Sequence, residues 1–264
     1  IYKITLGNTT SEDYINWPAN QGAYTESVGQ PLNLVTQTMF YSYTDAYPHG
    51  SGSTSLQSLK VQIFQTNGAY NVNGPLGNIV FQEYRIINKS TNVWTQTYLA
   101  QWSDDDLGNS TDDKVGVDTA LNLGYTYNAT NNDGIYGAAP PAVGFDFFRG
   151  ALVESPGDTV RYYSPPGSTN LVLKPTFMVP GPTVFNYYNN GSPPPADPLN
   201  NTETYRVLEG KWKTNEAWVS PGGDTTTKCF TGDPVTGTGW LNPGESDRIF
   251  LQSTGPFIMN PNDT

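Results

Sequence analysis

Apolar positions in this chain recur with a period of two, in short runs. Ile79, Phe81, Glu83, Arg85 and Ile87 share one side of an extended backbone, and Val80, Gln82, Tyr84 and Ile86 share the other. Neither side is cleanly polar, which predicts a strand covered on both sides. Residues 60–66 (KVQIFQT), 93–102 (VWTQTYLAQW) and 171–179 (LVLKPTFMV) are likewise β-branched and aromatic, and Gly, Pro, Asn or Asp bound them. No stretch of convincing length carries apolar residues at i, i+3 and i+4, so helix is not expected to contribute much. The expected class is all-β: an antiparallel β-sandwich, jelly-roll-like, with long loops and little helix. The end segments 1–6 (IYKITL) and 249–259 (IFLQSTGPFIM) also read as strands. An unpaired edge at either end would accept or donate a strand.

Composition agrees with this class. The 264 residues include 27 Gly and 21 Pro, while aromatics at 13% supply core material that a disordered chain lacks. With 24 acidic and 13 basic residues the net charge is −11, which speaks against nucleic-acid partners and anionic membranes. No run of ~18 apolar residues is present for membrane insertion. Two stretches depart from the strand pattern: 47–58 (YPHGSGSTSLQS), small and polar, and 189–201 (NNGSPPPADPLNN), with a triple proline. Strand-like segments flank both at similar density, so a single domain over 1–264 is expected, with a subdivision near 190–200 as the alternative. Cys229 is the only cysteine, which excludes an intrachain disulfide and reads as a structural thiol. The chain starts at Ile1 without Met, as a processed product or an excised piece would. Seven N-x-[ST] triplets stand against roughly four or five that chance gives in an Asn-, Ser- and Thr-rich chain, so the count does not argue for glycosylation.

Chemistry concentrates in residues 103–118 (SDDDLGNSTDDKVGVD), which hold Asp104, Asp105, Asp106, Asp112, Asp113 and Asp118 with Lys114 as the local cation. Six carboxylates in sixteen residues repel one another, and a hard divalent ion offsets that repulsion with oxygen coordination. Asp104 and Asp106, two apart after a strand, can point to one side, and Gly108 lets the chain turn back. The pattern is not an EF-hand: the Gly comes one position early and Val115 stands where the bidentate Glu belongs. The expectation is a structural Ca2+ held by Asp104, Asp106, Asp112, Asp113 and Asp118, with backbone carbonyls completing the shell. The plainer alternative is a solvated acidic loop. Leu107, Val115 and Val117, which interrupt the acids, suggest a loop pinned to a core.

With this segment in view, a longer series of blocks becomes recognisable. NIVFQEYRIINKST (78–91), TYLAQWSDDDLGNSTDDKVGVDTALNLGYTYN (97–128), YGAAPPAVGFDFFRG (136–150), FTGDPVTGTGW (230–240) and DRIFLQSTGPFIMNPNDT (247–264) follow in order. Over about residues 75–264 the chain resembles uncharacterised modules of large secreted bacterial surface proteins, many of which end in a type IX secretion sorting domain. That family usually has Asp-Pro-Asp-Leu-Gly where Asp104 to Gly108 stand, and often Gly-Cys-Asp at Gly116 to Asp118. Both departures keep the five candidate ligands. Thr264 falls where the family's chain continues, so the resemblance implies a non-terminal module or a trimmed subunit. It implies secretion and surface exposure, and no established activity.

Enzymatic readings find little to stand on. His49 is the only histidine and lies in the 47–58 loop, so a nucleophile–base arrangement would have to use it. A two-carboxylate glycoside hydrolase needs no histidine, but nothing in the spacing selects a pair from Glu83, Glu154, Asp146, Glu203 and Glu209. Binding fits better. Clusters such as Tyr41/Tyr43/Tyr47, Tyr162/Tyr163 and Tyr187/Tyr188 can place rings on strand faces for sugars. Trp94, Trp102 and Trp240 read as core, and Trp17, Trp212 and Trp218 are less committed. The expected role is a non-catalytic secreted surface module, for structure, adhesion or filament-like self-assembly, with carbohydrate binding as the alternative. Its partners would be other copies of itself, other surface proteins, or glycans.

Overall fold

The computed structural model describes residues 1–46, 58–164, 168–191 and 194–264. His49, Tyr47 and most of the 47–58 loop lie outside the described residues. Strands hold 45% of the chain against 9% for helix, so the all-β class stands. Contacts group the chain into two compact units. Unit 1 comprises Ile1–Trp94, Thr159–Pro175 and Met259–Thr264, and unit 2 comprises Thr95–Asp158 and Thr176–Ile258. Residues 190–200 lie inside unit 2.

Unit 1 is built on one four-stranded antiparallel sheet in sequence order, β1 (Tyr2–Thr5), β2 (Gln37–Thr44), β3 (Val61–Ala69) and β4 (Val80–Asn88). Alternation sorts these strands into two faces. On the inner face Ile4 and Phe40 are buried, and residues from the β1–β2 connection cover the sheet: the Trp17 ring lies 6.1 Å from Phe40, which stacks on Phe64 at 6.3 Å. Arg85 reaches under this cover, donating to the Gly22 carbonyl and sitting over the Tyr24 ring at 4.7 Å. A four-residue helix, α1 (Glu12–Ile15), starts at Ser11, whose hydroxyl accepts from Tyr14 N–H. Its Asp13 carboxylate accepts from the Lys3 N–H. The other face of β4 is open: Val80 is 62% and Tyr84 47% exposed. The strand expected to be covered on both sides is therefore covered on one. Its outer face tolerates water because Gln82 and the Tyr84 hydroxyl are polar.

Unit 2 holds two three-stranded sheets. One is ordered β8 (Ala142–Asp146), β7 (Leu123–Asn128), β6 (Asp113–Asp118), paired antiparallel. In the other, β11 (Val184–Asn189) and β5 (Trp94–Asp104) flank the long β12 (Arg248–Met259). The ribbon of β9 (Val153–Tyr163) and β10 (Leu171–Met178) divides its residues between the two units. All six residues of β11 are buried, which its composition explains. Phe185 and Tyr187 face Phe250 of β12, Val115 and Val117 of β6, Trp218, Cys229 and Phe230 in one apolar cluster. Val184 and Tyr188 face Ile249, Leu251 and Val207 in a second. Val207 comes from the helix α2 (Asn201–Leu208), whose start is closed by Asn200 and Glu203: the Asn200 side chain accepts from Glu203 N–H at 3.0 Å.

One tryptophan falls elsewhere than expected, and two that the sequence left uncommitted join the core. Trp102 is 54% exposed instead of core, because its indole N–H is satisfied at the surface by the Tyr188 hydroxyl at 2.7 Å. Trp218 is buried, donates to Asn186 at 2.8 Å and packs against Tyr187, while Trp212 packs at the edge of the same cluster. The terminal segments are both strands. β12 is interior to its sheet, with partners on both edges, and β1 is an edge strand whose Lys3 amide is taken by Asp13.

Candidate functional site

The Asp-rich segment leaves β5 at Asp104, turns through Asp106 and Gly108, and enters β6 at Asp113. Asp106 has φ 40 and Gly108 φ 71, both left-handed. An aspartate tolerates that region poorly and glycine freely, so the turn is built around Gly108. Glycine is required there twice over: a Cβ would lie 2.3 Å from the Asp133 Oδ1. Asp133 in turn accepts from the amides of Asn109 (2.9 Å), Ile135 (2.7 Å) and Tyr136 (2.6 Å). These bonds hold its carboxyl below the usual carboxylate range.

Carboxylate oxygens of Asp104, Asp106 and Asp247 lie within 4.8 Å of one another. Asp104 and Asp106 are exposed and Asp247 is half-buried. Burial, and after it the charges of Asp106, Asp247, Asp105 and Asp197, push the Asp104 carboxyl up. Asp247 Oδ2 accepts from Asn190 Nδ2 at 3.0 Å, while its Oδ1 is buried and has no partner among the described residues. Arg248, next in sequence, does not compensate it. Strand alternation turns that guanidinium to the other face, where it donates to Asn189 and the Pro243 carbonyl and lies 5.2 Å from the Tyr187 ring. Like charges at this spacing repel by roughly 1 kcal/mol per pair in water and several-fold more in a protein-like dielectric.

The donor set fits a hard cation. Ca2+ takes oxygens at 2.3–2.6 Å, so two oxygens on one ion stand no further apart than about 5 Å. Three carboxylates within 4.8 Å, one carrying an orphaned buried oxygen, meet that condition.

The remaining sequence candidates sit elsewhere, and each has a local task. Asp118 Oδ1 closes the β6–β7 turn, accepting from Ala120 (2.9 Å) and Leu121 (3.1 Å). The Asp112 carbonyl accepts from Ala129 N–H at 2.8 Å, and its Oδ1 is buried without a partner among the described residues. Asp105 accepts from Ser103 Oγ at 2.6 Å and Thr126 Oγ1 at 2.5 Å. Asp113 is 1% exposed, and burial pushes its carboxyl up to about 7, against the Leu107 amide, which donates to Oδ2 at 3.0 Å and lowers it. The Asp113 carbonyl accepts from Ser246 N–H at 3.4 Å. One buried residue thus grips the neighbours of Asp106 and of Asp247, and so brings two distant segments together. Leu107, Val115 and Val117 are buried, as expected of a loop pinned to a core.

Asp247 is the ligand candidate that spacing misses. It lies between Glu245 and Arg248, 141 residues beyond Asp106, and only the pairing of β12 beside β5 brings it in. Three of the five carboxylates considered for hydrolysis have structural partners. Glu203 accepts from Asn200 Nδ2 (2.9 Å) and Leu199 N–H (2.8 Å), Glu209 pairs with Lys211 at 3.0 Å, and Glu83 accepts from the Tyr24 hydroxyl at 3.0 Å. Asp146 and Glu154 are exposed on β8 and β9. No helix among the described residues is long and apolar enough to cross a membrane, which says nothing of membrane strands. Comparison with protein-family models, curated proteins and solved structures finds no match.

Proposed function

We propose that this chain is a non-catalytic module of a secreted, cell-surface protein, serving structure, adhesion or self-assembly, with a bound Ca2+ fastening its Asp-rich segment. The convergence of Asp104, Asp106 and Asp247 carries the cation part of this reading. The resemblance over residues 75–264 supports the surface location. Asp104 ends β5 and Asp247 immediately precedes β12, its neighbour in the sheet, so one ion would tie two strand ends and relieve the repulsion between three carboxylates. Waters or carbonyls would complete its shell.

Thermal denaturation in Ca2+ and in a chelator tests the reading. At a free ion level about 100 times the dissociation constant, binding to the folded state alone stabilises by about 2.7 kcal/mol. That is a rise in Tm of several degrees for a protein of this size. Asp104→Asn and Asp247→Asn should each abolish most of the rise, whereas Asp118→Asn should keep it. Identical melting in Ca2+ and chelator removes the cation from the reading.

A further inference from the structure

The outer face of the unit 1 sheet carries an organised patch that the cation site does not use. Register places Tyr41, Gln65 and Tyr84 in one row across β2, β3 and β4, with Met39, Asn67 and Gln82 in the row on one side and Tyr43, Ile63 and Ile86 on the other. These side chains are bonded to one another. Tyr43 hydroxyl donates to Gln65 Oε1 (3.0 Å), and Gln65 Nε2 donates to Asn67 Oδ1 (3.0 Å) and to the Tyr84 hydroxyl (3.2 Å). Asn67 Nδ2 donates to the Tyr41 hydroxyl (3.1 Å), and the Tyr84 hydroxyl donates to Gln82 Oε1 (2.8 Å). The Tyr41 and Tyr43 rings stack at 6.0 Å and 24°.

Three features set this patch apart from scattered surface tyrosines. The first is pre-organisation: Gln65 is only 6% exposed on a face where Tyr43 and Tyr84 are 42% and 47% exposed, so a buried amide orients two rings directly and the third, Tyr41, through Asn67. Fixing donors and rings beforehand reduces the ordering cost of binding. The second is unspent hydrogen-bonding capacity. Among the described residues the Tyr41 hydroxyl accepts but donates to nothing, and the Gln82 amide nitrogen donates to nothing. The third is charge. In a chain of net charge −11, these rows contain no acid or base, and burial holds the Tyr43 and Tyr84 phenols above their ordinary value, hence neutral.

We propose that this face binds a neutral polysaccharide, its sugar rings lying on Tyr41, Tyr43 and Tyr84 and its hydroxyls bonding the Tyr41 hydroxyl and the Gln82 amide. Aromatic faces match the C–H side of a pyranose ring, and amides and phenols match its equatorial hydroxyls. Tyr41 and Tyr84 stand two strands apart, roughly 10 Å, which suits alternate sugars of an extended chain. An anionic polymer would leave its charges without partners on this surface. The proposal stands apart from the cation, whose ligands lie in unit 2.

Affinity gel electrophoresis in soluble mixed-linkage β-glucan, xyloglucan, galactomannan and arabinoxylan, with alginate and polygalacturonate as anionic comparators, tests it. At least one neutral polymer should retard the protein equally in Ca2+ and in chelator, and the anionic ones should not. Tyr84→Ala and Tyr41→Ala should each weaken retardation about tenfold, the scale of one ring contact. Tyr41→Phe, which keeps the ring and packing, should weaken it less. Tyr163→Ala, an exposed tyrosine of the β9–β10 ribbon, should leave it unchanged. Circular dichroism of each variant separates loss of binding from loss of fold, and Tyr84→Leu, which removes the ring but fills much of its volume, replaces Tyr84→Ala if the latter does not fold. No retardation by any neutral polymer, retardation by the anionic polymers alone, or retardation indifferent to Tyr41 and Tyr84 overturns the proposal.

Discussion

At Gly108 and Asp133 two side-chain choices fix one turn. The glycine supplies both a left-handed φ and room for the carboxylate, and the carboxylate collects three amides. A carboxyl whose folded value lies below its unfolded one contributes stability above the unfolded value, near 3.8, and loses it as pH falls through the folded value. Protection of the Ile135 and Tyr136 amides, taken relative to their unstructured exchange rates at each pH, should therefore fall on acidification from about pH 5 to about pH 2, in the range where carboxylates titrate. Asp133→Asn should flatten that dependence. A dependence unchanged in the variant would assign it to another group. The need for Gly108 was legible in the sequence as a turn after a strand. Its contact with Asp133 was not, since nothing in the spacing couples residue 108 to residue 133.

Elements were easier to read than the contacts between them. The runs at 60–66, 93–102 and 171–179 became β3, β5 and β10 with shifts of a few residues, because β-branched and aromatic periodicity reports the pleat directly. The helix α2 has a capping pair in Asn200 and Glu203, but the prolines that precede it carry the stronger signal, that of a loop. For the acids, proximity in sequence misled. Asp112 and Asp118 belong to turns, whereas Asp247 arrives from a strand that pairs at long range. Asp113 acts between the two, through its side chain to Leu107 and its carbonyl to Ser246. Asp113→Ala should lower stability by about 1–3 kcal/mol, the cost of leaving a buried amide unpaired. It should also weaken the Ca2+-dependent rise in Tm. Asp113→Asn, which still offers an oxygen to Leu107 N–H and carries no charge into the interior, should lose neither and should fold at least as stably at neutral pH. Equal losses in both variants would mean that the negative charge matters rather than the hydrogen bond.

Over the whole molecule the acidity and the aromatic content have separate addresses. Carboxylates gather at one corner of unit 2, and rings with amides cover one face of unit 1, with no charge in the rows that bear them. A net charge of −11 therefore does not describe every surface a partner meets. Unit 2 also has an apolar interior of its own, and it holds the only thiol. Cys229 is fully buried in the cluster with Phe185 and Phe230, bonded to the Phe185 carbonyl at 3.5 Å, and burial raises its pKa far above that of a free cysteine. A maleimide or disulfide reagent can reach it only when unit 2 opens. The rate of its modification is then a clock for opening, readable without any introduced label. Adding Ca2+ should slow that clock in the native chain and leave it unchanged in Asp247→Asn, which would turn one silent cysteine into a measure of how firmly the sheet is held shut.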